Sequence, residues 1–122
     1  MSGQESRVLG RWGERLAARF MEKKGYRVTE AGWRCRYGEI DLIAVSETDL
    51  VFVEVKLRRS AAFGTPASFV DSRKQQKLRT TAELYLAQNP TGLQPRFDVV
   101  EVYAPKGLAT EEPEITHWEN AF

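Results

Sequence analysis

The chain has 122 residues, of which 42% are hydrophobic and 29% charged, as in an ordinary globular protein, so we expect a single domain over residues 1–122. Basic and acidic residues nearly cancel, 18 against 17, so net charge neither favours nor excludes a nucleic-acid partner. The only cysteine and the only histidine, Cys35 and His117, exclude an internal disulfide, a cysteine-rich zinc site and a paired-histidine metal motif.

The apolar segments are short. No run approaches the ~20 residues that a membrane-spanning helix needs, and the N-terminus has no signal-peptide apolar stretch. We therefore expect a cytoplasmic protein that does not bind a membrane.

The first element is predicted to be a helix from about Gln4 to Lys24, ended by Gly25. Its apolar stripe recurs at three- and four-residue steps and comprises Leu9, Trp12, Leu16 and Phe20.

Glu14 lies off that stripe, beside Ala17, Ala18 and Met21. Two interpretations stay open: a half-buried acid that faces the following hairpin, or a surface glutamate near arginines. Gly10 and Gly13 each cost ~1 kcal/mol relative to Ala in a helix, which predicts close approach of another backbone or a ligand.

A short strand is predicted from Tyr26 to Glu30, followed by a turn over residues 31–37. Arg34 and Arg36 alternate there with Trp33 and Tyr37. Interleaved guanidinium and aromatic groups suit a phosphate and base surface. The aromatic residues could equally pack against a strand edge.

The central stretch, Gly38 to Lys56, reads as a hairpin whose loop is Ser46 to Asp49. If Val45 pairs with Leu50, then Asp41 lies opposite Glu54, and Glu39 lies opposite Lys56, all on one face.

Such an acidic patch is costly, because two carboxylates about 5 Å apart repel by roughly 3 kcal/mol at an effective dielectric of ~20. Protonation of one acid, compensation by Lys56 or a divalent cation would relieve the repulsion. A solvated face with a Glu39–Lys56 ion pair is the alternative. Ile43 and Phe52 on the same face favour burial, and hence a metal site at Asp41 and Glu54.

After a predicted loop at Ser60–Ala67, a second helix is expected from Asp71 or Ser72 to Gln88. Its first half is basic, and its inner stripe comprises Gln75, Leu78, Ala82 and Tyr85.

Strands follow at Phe97–Tyr103 and Ile115–Trp118, and His117 is predicted to be structural or exposed. The element order αβββαββ predicts an α/β fold: a mixed sheet flanked by helices, with the second helix crossing over to a parallel strand.

Several of these motifs resemble those of the YraN-like family, which lies within the PD-(D/E)xK restriction-endonuclease-like superfamily. The resemblance implies a fold related to that of archaeal Holliday-junction resolvases. The matching motifs are Gly-x-x-Gly-Glu at Gly10–Glu14, Gly25-Tyr26, Gly-Glu-Ile-Asp-Leu-Ile at Gly38–Ile43 and Val-Phe-Val-Glu-Val-Lys-x-Arg at Val51–Arg58.

The resemblance implies that Asp41 and Glu54 ligate Mg²⁺ or Mn²⁺ and that Lys56 positions the attacking water. It also implies that Glu14 assists at the metal, with Glu39 and Gln75 as further site candidates.

The sequence thus predicts a metal-dependent DNA endonuclease, with branched or junction DNA as one candidate substrate and a homodimer if a junction is resolved. The alternative is a non-catalytic nucleic-acid-binding or adaptor module on the same fold. In either case the predicted phosphate contacts are Arg34, Arg36, Arg58, Arg59, Arg73, Lys74 and Lys77.

Overall fold

A five-stranded mixed sheet with a helix on each face forms the fold. The computed structural model describes residues 3–60 and 70–122. The predicted Ser60–Ala67 loop lies, beyond Ser60, outside the described residues. The elements in chain order are helix α1 (Gly3–Lys23), strands β1 (Arg27–Cys35), β2 (Gly38–Val45) and β3 (Asp49–Arg58), helix α2 (Ser72–Gln88), strand β4 (Gln94–Tyr103), a 3₁₀ turn (Gly107–Ala109) and strand β5 (Glu114–Trp118).

The strands lie in the order β1-β2-β3-β4-β5. All neighbouring pairs are antiparallel except β3 and β4, which run parallel from Asp49–Gln94 to Arg58–Tyr103. The predicted element order and crossover are therefore confirmed, and the architecture is consistent with a restriction-endonuclease-like fold.

Each helix covers one face of the central strands. Ala17 and Met21 of α1 pack against a cluster that includes Val53, whereas Leu78 and Tyr85 of α2 pack against the opposite cluster. This two-sided burial explains why both faces of β2 and β3 are apolar.

Leu9 is buried as predicted, but beyond it the buried line of α1 is shifted by one residue from the predicted stripe. Its buried apolar residues are Leu9, Ala17 and Met21. A Cβ on Gly13, in the same line, would lie 3.2 Å from Leu57 Cδ1, so close approach of a side chain explains this glycine. At Gly10 the expected approach of another backbone is not found among the described residues, because a Cβ there would meet none of their atoms within 4 Å.

Strand β1 is longer than predicted, and the expected turn over residues 31–37 is mostly strand. A register shift between Val28 and Glu30 lets β1 continue to Cys35. Trp33 consequently lies within the strand and packs edge-on against Tyr85, with ring centroids 5.2 Å apart. Burying this ring against α2 stabilises the extension.

A buried ionic network joins β4, β5 and the end of α1. Asp98 is fully buried and accepts from Arg96 Nε at 3.0 Å and Nη2 at 2.9 Å. Its Oδ2 also lies 2.6 Å from His117 Nε2, and His117 Nδ1 lies 2.8 Å from Lys24 Nζ. Because an ammonium only donates, Nδ1 accepts and Nε2–H donates to Asp98. His117 is thus buried and structural.

Burial alone would raise the pKa of Asp98, but hydrogen bonds from His117, Arg96 and the Asn120 amide together lower it. A lowered pKa adds stability above the ordinary titration range of Asp, and this stability is lost as the pH falls through the folded-state value.

The helices of the described ranges include none that is long and apolar enough to cross a membrane.

Replacing Asp98 is expected to destabilise the fold. Asp98→Asn leaves Arg96, whose side chain is only 10% exposed, without its main counter-charge, so urea denaturation at pH 7 should show a loss of roughly 3 kcal/mol. The difference from wild type should shrink as the pH falls below about 4, because Asp98 then gains a proton in the unfolded chain, while its lowered pKa keeps it ionised in the folded protein to lower pH.

Asp49→Asn is the matched control, because Asp49 contacts the same guanidinium at 3.1 Å but is 24% exposed. Its expected cost is below about 1 kcal/mol. Equal losses in the two variants would show that burial of Asp98 does not set its contribution.

Candidate functional site

The predicted acids meet where β2 and β3 separate. The pairing of the two strands runs from Val45–Leu50 to Leu42–Val53 and stops there. Beyond that point Asp41 Oδ2 accepts the Val55 backbone N–H at 2.8 Å. The predicted register of the hairpin is confirmed over the paired residues, but Asp41 bonds β3 through its side chain rather than pairing with Glu54.

Asp41 has a strongly shifted acidity. Burial and the charge of Glu54 raise the pKa of Asp41 to about 8, despite the opposing hydrogen bond from the Val55 amide. A hydrogen bond to Glu54 and the charge of Glu14 contribute in the same direction. In the cation-free protein at neutral pH, Asp41 is therefore mostly protonated, which relieves the predicted repulsion.

Glu54 is the most buried acid of the site, with only 4% of its surface exposed. Its Oε2 lies 3.2 Å from Lys56 Nζ and also contacts Lys74 Nζ. Burial alone would lower the pKa of Lys74, but its hydrogen bond to Glu54 and the charge of Glu54 raise it. Asp41, Glu54, Lys56 and Lys74 are called the carboxylate site below.

Lys74, which the sequence predicted as a phosphate contact, enters the site from α2 and contacts Glu54. The side chain of Asp71 caps the helix by accepting the Lys74 backbone N–H at 2.8 Å, which fixes the first turn. A signal was present in the sequence: Lys74 precedes buried Leu78 by four residues, so both lie on the same side of the helix.

Glu14 of α1 is half-buried, as one of the two sequence interpretations held. Burial, with the charges of Glu39 and Glu54, raises the pKa of Glu14, and Arg11 opposes the shift. Glu14 lines a cavity of about 230 Å³ with residues of α1, β1 and β2. The structure therefore places Glu14 within electrostatic range of the carboxylate site.

The two further site candidates, Glu39 and Gln75, contact residues outside the carboxylate site. Glu39 pairs with Arg34 across β1 and β2, with Glu39 Oε2 3.2 Å from Arg34 Nη2. The predicted position of Glu39 opposite Lys56 is wrong, because the β2–β3 ladder ends before reaching it. Gln75 Nε2 donates to the Val70 carbonyl at 2.8 Å, so this amide closes the start of α2.

The predicted phosphate contacts do not form one patch. Arg58 lies 2.8 Å from Glu101, and Arg59 lies beside Gly107. Arg36, Arg73 and Lys77 line a separate groove with Tyr37.

The donor set restricts the kind of metal that fits. Among residues 3–60 and 70–122, no three His, Cys, Asp or Glu side chains are arranged to hold a metal ion. Two adjacent carboxylates still match Mg²⁺, which is usually bound through one or two carboxylates, water and substrate phosphates. Asp41 and Glu54 fit that pattern, and the high pKa of Asp41 is the response expected of acids placed together without a cation.

The pKa of Asp41 predicts a pH-dependent stability. A folded-state pKa of about 8 against an ordinary value of 3.8 means that folding takes up a proton between these values, so stability is full below pH 4 and falls until about pH 8. Asp41→Asn keeps an oxygen for the Val55 amide but cannot ionise. In EDTA it should be more stable than wild type, by an amount that grows over this window by up to about 1.4 kcal/mol per pH unit.

Urea denaturation at pH 4.5, 6 and 8.5 measures this difference. Glu47→Gln, an exposed change in the hairpin loop, is the control and should show no such trend. A constant difference between Asp41→Asn and wild type at all three values would contradict the shifted acidity.

Comparison with known proteins places the chain in a family. A family model described as "Uncharacterised protein family UPF0102" matches residues 13–102. A UPF0102 protein of Caldanaerobacter subterraneus is 44% identical over 100% of both chains. One from Nocardia farcinica is 45% identical over 97% of this chain and 91% of its own. One from Flavobacterium psychrophilum is 42% identical over 97% and 96%. The chain therefore belongs to the UPF0102, or YraN-like, family.

Proposed function

We propose that this protein is a metal-dependent endodeoxyribonuclease that hydrolyses phosphodiester bonds at the carboxylate site. The observation that carries the proposal is the meeting of Asp41 and Glu54 at the point where β2 and β3 separate, with two lysines on Glu54. Membership of the PD-(D/E)xK superfamily is part of the same proposal.

In this proposal Asp41 and Glu54 hold Mg²⁺ or Mn²⁺. When bound, such a cation supplies Lewis-acid stabilisation of charge on the phosphate. A cation held by Asp41 and Glu54 would favour the ionised form of both, so Asp41 would bind it as a carboxylate.

The remaining residues of the site orient the reactants. Lys56 lies within 3.2 Å of Glu54, so its ammonium is held in place to position a water molecule for attack on phosphorus. A P–O bond forms to that water and a P–O bond of the DNA strand breaks, which leaves one phosphate end and one hydroxyl end. Glu14 is half-buried and has a raised pKa, so its carboxylate is suited to accept a proton from this water.

Lys74 has a different part in the proposal. In the cation-free protein its ammonium neutralises Glu54, where a metal would otherwise do so. A divalent cation held by Glu54 would compete with Lys74 for this carboxylate. The Lys74 ammonium would then be available to contact a non-bridging phosphate oxygen.

The cleavage assay tests the proposal directly. Linear, flapped and four-way-junction DNA are incubated with the purified protein and Mg²⁺ or Mn²⁺. Wild type should cut at least one substrate. Glu54→Gln should cut at least ~100-fold more slowly, because the variant lacks one proposed metal ligand and the carboxylate that holds Lys56 in place. Glu47→Gln should cut like wild type. Equal cleavage by wild type and Glu54→Gln would identify a contaminant and remove the proposal.

Metal binding can be measured without cleavage. Mn²⁺ at millimolar concentration should raise the melting temperature of wild type relative to EDTA, because ligand binding to the native state adds stability. Asp41→Asn should lose most of this increment. Lys74→Gln should bind Mn²⁺ about tenfold more tightly by calorimetry, since a like charge no longer competes for Glu54.

The two metal measurements test different parts of the proposal. A wild type indifferent to Mn²⁺ would count against the metal site. Weaker or unchanged Mn²⁺ binding by Lys74→Gln would count against competition at Glu54.

A non-catalytic DNA-binding module is the second candidate; in it the two lysines would neutralise Glu54 in place of a cation. Such a module should bind DNA equally well in EDTA and in Mg²⁺ and should cut none of the substrates. Resolution of a symmetric junction, by contrast, would require two sites and hence a homodimer.

A further inference from the structure

A groove of about 640 Å³ lies between the β1–β2 turn and the first half of α2. This volume is within the range of about 300–1,000 Å³ that is usual for ligand pockets. The described residues that line it include three cations and no acid: Arg36, Tyr37, Arg73, Gln76, Lys77 and Thr80.

The wall formed by the turn is held against the helix. A Cβ on Gly38 would lie 3.1 Å from Thr81 Oγ1, so a glycine at this position lets the turn approach α2 closely. Cys35 Sγ accepts the Tyr37 backbone N–H at 3.3 Å, which shapes the turn. The groove is therefore built by packing at its base rather than by its exposed side chains.

The aromatic ring of the groove is fixed yet open to solvent. Arg36 Nη2 donates to the Tyr37 hydroxyl at 2.5 Å, and the Arg36 guanidinium lies 4.8 Å from the centroid of the Tyr37 ring. Tyr37 is nevertheless 41% exposed, one of the few large apolar side chains of the described residues with that much exposure. An exposed, oriented ring beside cations is the arrangement on which nucleic-acid bases stack.

Positive charge follows the helix side of the groove. Arg73 and Lys77 are exposed and four residues apart on α2, so their side chains emerge as neighbours one turn apart. Lys74, between them in sequence, contacts Glu54. The first half of α2 thus supplies cations both to the groove and to the carboxylate site.

We infer that this groove binds an unpaired, single-stranded stretch of DNA, with one base stacked on Tyr37 and phosphates on Arg73 and Lys77. A duplex keeps its bases stacked on one another and leaves none free for Tyr37, whereas single strands offer a face for every base. Taken with the proposed function, on which this consequence rests, the substrate class is DNA with unpaired nucleotides beside the scissile bond, such as a flap or a branch.

The test measures binding alone. Fluorescence anisotropy of a labelled oligothymidylate and of a blunt duplex is recorded in EDTA, where no cleavage occurs. Tyr37→Leu should weaken oligothymidylate binding about tenfold, the effect typical of losing one stacked base, and leave duplex binding unchanged. Tyr37→Phe keeps the ring and loses only the hydroxyl that accepts from Arg36, so it should bind oligothymidylate more tightly than Tyr37→Leu does.

The cations have their own readout. The double variant Arg73→Ala, Lys77→Ala should reduce the salt slope of oligothymidylate binding by about 1.4, since each phosphate contact on a single strand contributes about 0.7. Lys23→Ala, an exposed change at the end of α1, is the charge control and should leave the slope unchanged. Melting curves confirm that each variant is folded.

Unchanged oligothymidylate binding in Tyr37→Leu, or an equal loss for the duplex, would overturn the inference. Its failure is distinct from failure of the proposed function: a protein that cuts DNA but shows no Tyr37 dependence is a nuclease without this groove. A protein that binds single strands through Tyr37 but cuts no substrate would support the inference about the groove and contradict the proposed nuclease activity.

Discussion

The burial of two carboxyl groups at one point of the sheet is the constraint on which the rest of the site depends. Asp41 and Glu54 lie where β2 and β3 stop pairing, and Asp41 itself satisfies the Val55 amide that the ladder no longer reaches. The repulsion between the two carboxylates is relieved in two ways. Asp41 carries a proton, and the negative charge of Glu54 is neutralised by the ammonium groups of Lys56 and Lys74. The fold keeps a patch that would be unfavourable if all its groups were ionised and unpaired.

The same sheet buries a second acid with the opposite result. Asp98 is fully buried, yet its pKa is lowered, whereas the pKa of the less completely buried Asp41 is raised. The difference lies in the neighbours: Asp98 accepts from Arg96, His117 and a backbone amide, while Asp41 faces another carboxylate. Burial therefore does not set the direction by itself. The Asp98 network stabilises the fold, whereas the carboxylate site retains groups that a cation or a phosphate could satisfy.

Helix α2 connects the two functional proposals. Its N-cap at Asp71 fixes the first turn, and that turn directs Lys74 to Glu54 while Arg73 and Lys77 remain on the groove side. A single helical turn thus serves the carboxylate site with one cation and the solvent-facing groove with two. This division accounts for why a continuous basic run in the sequence becomes two surfaces with different chemistry.

The sequence by itself determined the element order, the hairpin register near its loop, two candidates for the cap of α2 and the approach of Asp41 to Glu54, because alternation, capping and turn chemistry are local. Tertiary structure alone decided how long β1 is, since Trp33 extends it only by packing on Tyr85. It also decided where the β2–β3 ladder ends, and hence that Glu39 pairs with Arg34 and that Lys74 reaches Glu54. These contacts join residues from different elements. Their distances depend on where the strands separate and where the helix lies, and no local sequence pattern encodes either.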